Sequence, residues 1–416
     1  MSAKDAIEQR LRAIGAPRDS QFNNNEPLRM QWNKSLEKFS NQIEDYYHRN
    51  KQSKEEFAQK LTILKEIQEY LIKQVFNKPI KGIQYDIKAV VPFGSSASGL
   101  GMKGGDLDLI VCVHPPLSWR RTDEIEERTN DILALILERI ESGEMLGHRT
   151  FEDMEHRART RVPIVTGTVD GIDLDISISM TQLVCAQYLS SKYIDAYGKY
   201  DSKFLHLAAF AKAWQKTKKT EYNEQYFKKV FPNSCSVVLL VIFFMKHYKL
   251  LPNINVKHKK KIGEDYVTWA MVNQGENGAF GVPNEEVKRW KESNYCDVNV
   301  GTLFFLFVDF YANVVDFQNQ KLIIESGQFE QKTRKINRII IVDVVDKHNT
   351  AESVTEAGIL KLVLKKAANI IRDSSSEKIM NTLINEPLPD LSSFTARELV
   401  NIRSRNKAYC FWPFGH

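Results

Sequence analysis

Cysteine pairing is what this chain most plainly lacks. Its five cysteines, Cys112, Cys185, Cys235, Cys296 and Cys410, are scattered, odd in number and never spaced as C-x-x-C. That pattern argues against a disulfide framework or a zinc module and fits a reducing compartment. Long apolar runs are missing too. The best candidate, Val237 to Met245, is about half of the roughly 20 residues a membrane span needs. It reads as a buried helix, and no membrane partner is expected. Repeats at solenoid periods are absent. So is a strong excess of one charge: 58 Lys and Arg against 52 Asp and Glu permit a polyanionic partner without demanding one. No apolar h-region follows Lys4, so a secretory leader is not expected and the cytoplasm is the expected location.

What is present is an ordinary globular composition, 26% charged over 416 residues, long enough for two or three domains. Residues 1–27 are polar, include Asn23-Asn24-Asn25, and read as a flexible arm. Over 28–74 apolar residues recur at spacings of three and four, with a break near Asn50–Ser53, which predicts two helices packing on a central domain. Ser53 followed by Glu56 has the form of a capping box. The 75–180 region reads as a mixed α/β unit, with strands at 87–92, 107–113, 161–165 and 171–179 and a helix over about 123–141. The 181–372 region turns helical, with apolar helices at 236–251 and 302–317 and an amphipathic one at 357–372. A β-branched run at 335–345 reads as a strand, and 257–261 and 275–283 read as loops. Residues 373–416 read as a tail. The fold class is therefore α+β.

The chemistry concentrates in one stretch. A turn of Gly and Ser residues from Gly94 runs into Asp106-Leu107-Asp108 at the head of an apolar strand. Alternation puts Asp106 and Asp108 on one face and Leu107, Leu109 and Val111 on the other. Two carboxylates so close repel each other unless a cation lies between them, and a hard divalent ion accepts such oxygens together with phosphate. A second strand repeats the spacing as Asp173-Leu174-Asp175, so pairing of the two strands would add a third carboxylate. A lone Asp-x-Asp is commonly a solvated strand end. The Gly-Ser turn upstream, with Ser95 and neighbouring N–H groups as an anion cradle, and the second strand downstream together argue for a metal-dependent nucleotide site.

Gly94-Ser95, Asp106-x-Asp108, Arg161-x-Pro163-Ile164-Val165 and Asp175-Ile176-Ser177 resemble the DNA polymerase β-like nucleotidyltransferases. Within that superfamily they are most similar to the noncanonical poly(A) polymerases and terminal uridylyltransferases. The resemblance spans about residues 30–370. It implies a nucleotidyltransferase palm, a mixed β-sheet with helices, at 75–180 and a mostly helical, PAP-associated-like central domain at 181–372. It implies Asp106, Asp108 and Asp175 as the catalytic and metal-holding set, with Mg²⁺ or Mn²⁺, and template-independent transfer from an NTP to an RNA 3′-OH. Lys212-Ala213-Trp214-Gln215-Lys216 matches the segment by which relatives grip the triphosphate, and Lys212 and Lys216, four apart, share a helix face.

Ser234 takes the position of a phosphate-contacting serine. The tyrosine that normally follows it is here Cys235, and a ribose-side asparagine is replaced by Ala186, with Gln187 or Tyr188 as candidate substitutes. An aromatic platform of that kind contributes roughly 1–3 kcal/mol. The segment Val342–Asn349 resembles the nucleotide-recognition motif, with Asp343 or Asp346 as its acidic residue and His348 where a histidine accompanies UTP preference. Arg157, Arg159, Arg161, Lys228, Lys229, Lys257, Lys259, Lys260 and Lys261 are candidate RNA-phosphate contacts, although such runs usually mark solvated surface. The expected partners are an RNA 3′ end, UTP and a recruiting RNA-binding protein. The rival expectations are a poly(A) polymerase, a 2′–5′ oligonucleotide or cyclic-dinucleotide synthase, and a non-catalytic RNA-binding scaffold.

Overall fold

The structure is a computed structural model. It describes residues 2–15, 26–114, 122–160, 162–180, 186–219, 224–253, 292, 296–345, 347–373 and 378–385. The chain divides into two units.

The first unit holds Asn50–Tyr200. Its sheet contains β1 (Asp86–Phe93), β2 (Leu107–His114), β3 (Phe151–Arg157), β4 (Ile164–Val169) and β5 (Ile172–Ser179), ordered β1-β2-β5-β4-β3. β2 and β5 are parallel, while the other neighbours are antiparallel. A central strand with a parallel neighbour is covered on both faces. Accordingly Leu109 to Val113 are all buried, and β2 is partly exposed only toward its ends, at Asp108 and His114. Leu107, Leu109, Val111 and Val113 share a core with Leu174, Ile176 and Ile178 of β5 and with Ile132, Leu133, Ile136 and Ile140 of the helix Thr122–Glu141. β3 has no counterpart in the sequence expectation. It is an edge strand with the mostly polar sequence FEDMEHR, and a register shift between Glu152 and Glu155 breaks the alternation of Phe151 and Met154, which pack against the core.

The helix Lys54–Tyr70 begins with the expected box: Glu56 N–H donates to Ser53 Oγ (3.1 Å) and Ser53 N–H to Glu56 Oε2 (2.7 Å). The sequence pattern groups both helices of 28–74 with the helical domain, whereas the structure parts them at Asn50. The reason is burial. Ile63, Leu64, Ile67 and Leu71 enter the core of the sheet unit, and each such side chain contributes roughly 1.5–3 kcal/mol. The helix Ala186–Tyr200 also belongs to the sheet unit, so that unit ends at Tyr200 rather than at 180.

The second unit comprises the described residues of Met1–Arg49, Asp201–Asn253 and Val282–His416. It is built on the helices Glu26–Asn50, Ser202–Thr217, Ser234–His247, Val300–Asp309 and Ala357–Asp373. Every residue from Ser236 to Lys246 and from Val300 to Asp309 is buried. The stretch Tyr226–His247 is long and apolar enough to cross a membrane, yet two thirds of its most apolar window is packed inside the protein. That is the behaviour of a core segment. Gly301 lets the helix Val300–Asp309 lie directly on the helix Glu26–Asn50, since a Cβ there would overlap the Leu36 carbonyl. The Val300 N–H donates to Ser40 Oγ (3.0 Å) at the same crossing.

Three sequence expectations change in this unit. Ala3–Gly15 is a helix rather than an arm: Ala3 and Ile7 are buried, and Arg10 Nε donates to Asp309 Oδ2 (2.8 Å). The strand expected over 335–345 shrinks to β8 (Ile341–Val342). It pairs in parallel with β6 (Gln320–Ile323), which pairs in turn with β7 (Gln328–Gln331). The expected tail contributes the helix Ile379–Asn385, with Ile379 and Leu383 buried. The stretches 257–261 and 275–283 lie outside the described residues.

Candidate active site

Strand register brings the carboxylates together. Asp108 of β2 is the direct partner of Asp175 of β5, and Leu107 is the partner of Leu174. Register partners point to the same side of a sheet, with strands about 4.8 Å apart. Asp108 and Asp175 therefore stand side by side on the face opposite the leucines. Asp106 immediately precedes β2, two residues before Asp108, and is exposed. Asp173 lies toward the β4–β5 turn, exposed and paired with Thr168. Thr166 of β4 is the partner of Asp175 on the other side. Among the described residues, no three His, Cys, Asp or Glu side chains stand close enough to share one metal ion. In kind, a set made only of carboxylates suits a hard divalent cation.

The Gly-Ser turn is fitted around these groups. Gly94 follows β1 with φ +68°, and a Cβ built on it would overlap Asp108 Oδ2. Its N–H donates to Ser191 Oγ (2.9 Å), whose own proton goes to the Gln187 carbonyl (2.8 Å). The Gly94 amide is thus already bonded within the protein, and the contribution of this glycine is close approach. Ser95 is half-buried beside it. Ser96 is buried, and its Oγ donates to the Asp106 carbonyl (2.8 Å).

Beneath the turn lies a residue that sequence reasoning missed. Lys60, 3% exposed, donates through Nζ to Gln52 Oε1 (3.2 Å), Ser96 Oγ (3.1 Å) and the Asp106 carbonyl (3.3 Å). Burial pushes its ammonium below the ordinary lysine range, while Glu56, Asp106 and Asp108 oppose that shift. A signal was available in the sequence: Lys60 shares a helical stripe with Ile63, Leu64, Ile67 and Leu71.

In the helical unit the other predicted residues take several environments. Lys212 is half-buried and Lys216 exposed, both on the helix Ser202–Thr217. Trp214 between them is buried edge-on against Phe304, so it is a core residue. Ser234 and Cys235 open the helix Ser234–His247, and both are exposed. Although Cys235 keeps accessible surface, the protein packed around it pushes its thiol up to about 12, with Asp343 adding to the rise and Lys212 opposing it. Those two charges and the thiol are therefore neighbours.

The helix start is tied to the recognition loop. Asn233 caps it by accepting from the Ser236 N–H (2.8 Å), and Asn233 Nδ2 and Ser236 Oγ both donate to the Thr350 carbonyl (3.1 and 2.8 Å). Asp343 is buried and closes the loop on itself. Its carboxylate accepts from the Val345 N–H (2.7 Å), and its N–H donates to the His348 carbonyl (3.0 Å). Asn349 completes the frame by accepting from the Ile341 and Ala351 N–H groups and donating to the Ile339 carbonyl. His348 stands half-buried between these two clamps. Asp346, Arg161, Lys257, Lys259, Lys260, Lys261 and the Ala186 side chain lie outside what is described. Arg157 is exposed and paired with Glu155, Lys228 is exposed and paired with Glu224, and Arg159 and Lys229 are exposed.

Residues 39–199 match the family described as poly(A) RNA polymerase, mitochondrial-like, central palm domain. The chain is 22% identical over 329 residues to the poly(A) RNA polymerase gld-2 of Caenorhabditis elegans, an alignment covering 77% of this chain and 26% of that protein. It spans between about a quarter and a half of the length of the curated relatives it matches. Among solved structures, mtPAP in complex with CTP superposes with a TM-score of 0.63 at 16% identity, covering 87% of this chain and 74% of that one. The Cid1 poly(U) polymerase with MgGTP bound superposes with a TM-score of 0.58 at 21% identity, covering 84% and 98%. Residues 39–199 thus match the palm of the mitochondrial-like poly(A) RNA polymerases, and the chain shares the fold of these solved poly(A) and poly(U) polymerases.

Proposed function

We propose that this chain is a template-independent RNA 3′-terminal uridylyltransferase, transferring UMP from UTP to an RNA 3′-OH. The observation that carries the reading is the register of Asp108 against Asp175, with the exposed Asp106 two residues upstream of Asp108. In this reading Asp106, Asp108 and Asp175, although not close enough in this structure to share one ion, would be the carboxylates that hold Mg²⁺ or Mn²⁺, and the bound ion would supply Lewis-acid activation of the hydroxyl and neutralise the triphosphate charge. A relative, Cid1, has been solved with MgGTP. The RNA 3′-oxygen forms a bond to the α-phosphorus, the bond from that phosphorus to the bridging oxygen breaks, and pyrophosphate leaves. In this reading the Asp175 carboxylate takes the hydroxyl proton. Ser95, Lys212, Lys216 and Ser234 contact the triphosphate; of these, Lys212 combines partial burial with a buried neighbour, Trp214, that fixes its helix.

His348 reads the uracil edge, held in place by the Asp343 and Asn349 clamps. Asp343 acts through the loop, because its carboxylate is already engaged with the Val345 N–H. A protein that delivers RNA belongs to the proposal, since one relative, GLD-2, is solved in complex with RNP-8. A primer-extension assay with one labelled RNA and each NTP separately tests the reading. UTP should be added in a divalent-ion-dependent way, and Asp106→Ala should reduce addition by at least about 10³-fold. Preferential addition of ATP would move the assignment to poly(A) polymerase. No addition with any NTP would overturn it.

A further inference from the structure

The segment Asn50–Lys60 is bound along the length of the turn that leads to the carboxylates. Lys103 N–H donates to the Asn50 carbonyl (2.7 Å), Gln52 N–H to the Gly101 carbonyl (2.9 Å) and Gly104 N–H to Glu56 Oε1 (3.2 Å). Lys51 and Met102 form a β-bridge. Gly101 has no room for a side chain because Gln52 fills that space. At the inner end of this clasp, the three N–H donors of Lys60 have three acceptors: Gln52 Oε1, Ser96 Oγ and the Asp106 carbonyl. Ser96 Oγ itself donates to that same carbonyl, so ammonium, hydroxyl and carbonyl form a closed triangle directly behind Asp106.

Stability is a poor account of a lysine here. A buried ammonium carries a desolvation cost that an apolar side chain of similar length avoids, although its removal leaves the Gln52, Ser96 and Asp106 acceptors one donor short. Methionine would continue the apolar stripe of Ile63, Leu64 and Ile67 without that cost. What an apolar residue cannot do is hold the Asp106 carbonyl and the Ser96 hydroxyl at fixed positions. An error of about 1 Å in a reacting group can cost about 10²-fold in rate.

We propose that Lys60 is a positioning residue of the catalytic turn: its buried ammonium fixes the Asp106 backbone and Ser96, and thereby sets where the Asp106 carboxylate stands. The inference rests on the nucleotidyltransferase reading of Asp106.

Lys60→Met and Ser96→Ala are compared with the wild type in primer extension under saturating RNA, together with hydrogen–deuterium exchange of the free protein. For Lys60→Met, kcat should fall at least about tenfold while KM for UTP stays within about threefold. Exchange should rise in the 94–106 turn and stay unchanged in β2 and β5. Ser96→Ala keeps the lysine and its helix and should show the same pattern with a fall of about fivefold in kcat; it carries the test if Lys60→Met does not fold. The double variant should be no slower than Lys60→Met alone, because both changes break one triangle. Wild-type kcat in both single variants, or faster exchange spread across the palm core, would overturn the proposal. An inactive wild type with the exchange pattern intact would instead defeat the nucleotidyltransferase reading and leave the positioning of the turn standing.

Discussion

At Gly94 any side chain would have to occupy the space of the carboxylate it faces, since a Cβ there overlaps Asp108 Oδ2 while φ is +68°. Left-handed backbone costs a non-glycine residue roughly 1–2 kcal/mol, so the fold could survive Gly94→Ala. The Asp108 carboxylate could not stay where it is. Gly94→Ala is therefore expected to lower kcat for nucleotide addition by at least about 10²-fold, with a loss of only about 1–3 kcal/mol in urea unfolding. Activity near wild type would show that the Gly94–Asp108 approach is dispensable. Residues of this kind were the most legible in the sequence. Asp106, Asp108 and Asp175 could be found because strand alternation is rigid and the spacing occurs twice. Alternation alone leaves Asp173 and Asp175 equivalent; the family resemblance selects Asp175, and the register sets that residue beside Asp108. Lys60 went unseen because a lysine within an apolar stripe is ordinarily assigned to the solvent side, and its partners, Ser96 and the Asp106 carbonyl, lie 36 and 46 residues away.

Elements followed the same division between local and distant causes. The capping box at Ser53, the helix over 123–141 and the strands on either side of the Gly-Ser turn carry their own signals, and they form where expected. The first helix, Ala3–Gly15, does not carry one: its polar face dominates its composition, and what orders it is Asp309, about 300 residues later. The Asp309 side chain is 4% exposed, and its carboxylate is shared by Arg10 and Asn313. Removing the guanidinium would leave that carboxylate with a neutral amide partner alone. Breaking a buried pair typically costs about 3–5 kcal/mol, and the Arg10 side chain is one-quarter exposed, which screens part of the interaction. Arg10→Ala is thus expected to destabilise the helical unit by about 1–3 kcal/mol and to raise hydrogen exchange throughout Ala3–Gly15. Unfolding at the wild-type urea midpoint would mean that the helix is held by Ala3 and Ile7 alone. The short strands of the helical unit were unreadable for a different reason: of the four-residue segments QKLI and QFEQ, the first buries only Leu322 and the second does no more than half-bury Phe329.

For the molecule as a whole, the reading divides labour between the units: chemistry in the sheet unit, base choice in the helical one. The first half rests on three carboxylates and a glycine whose environments are now explicit. The second rests on His348, whose loop is closed by the Asp343 N–H on the His348 carbonyl and anchored to the helix Ser234–His247 through Thr350. If the division is right, the two functions can be altered separately. Asparagine at 348 keeps a hydrogen-bonding side chain but is smaller and offers both donor and acceptor, so it would relieve crowding at the adenine amino group and weaken the contact to uracil. His348→Asn is expected to move the ratio of kcat/KM for UTP over ATP toward ATP by about tenfold or more, the scale of one misplaced polar contact. It should leave the divalent-ion requirement unchanged, because the carboxylates belong to the sheet unit and His348 to the helical one. An unchanged nucleotide ratio would remove His348 from the base pocket and leave the carboxylate site standing. A loss of all activity would show instead that the loop serves the chemistry, contrary to the division proposed for the two units.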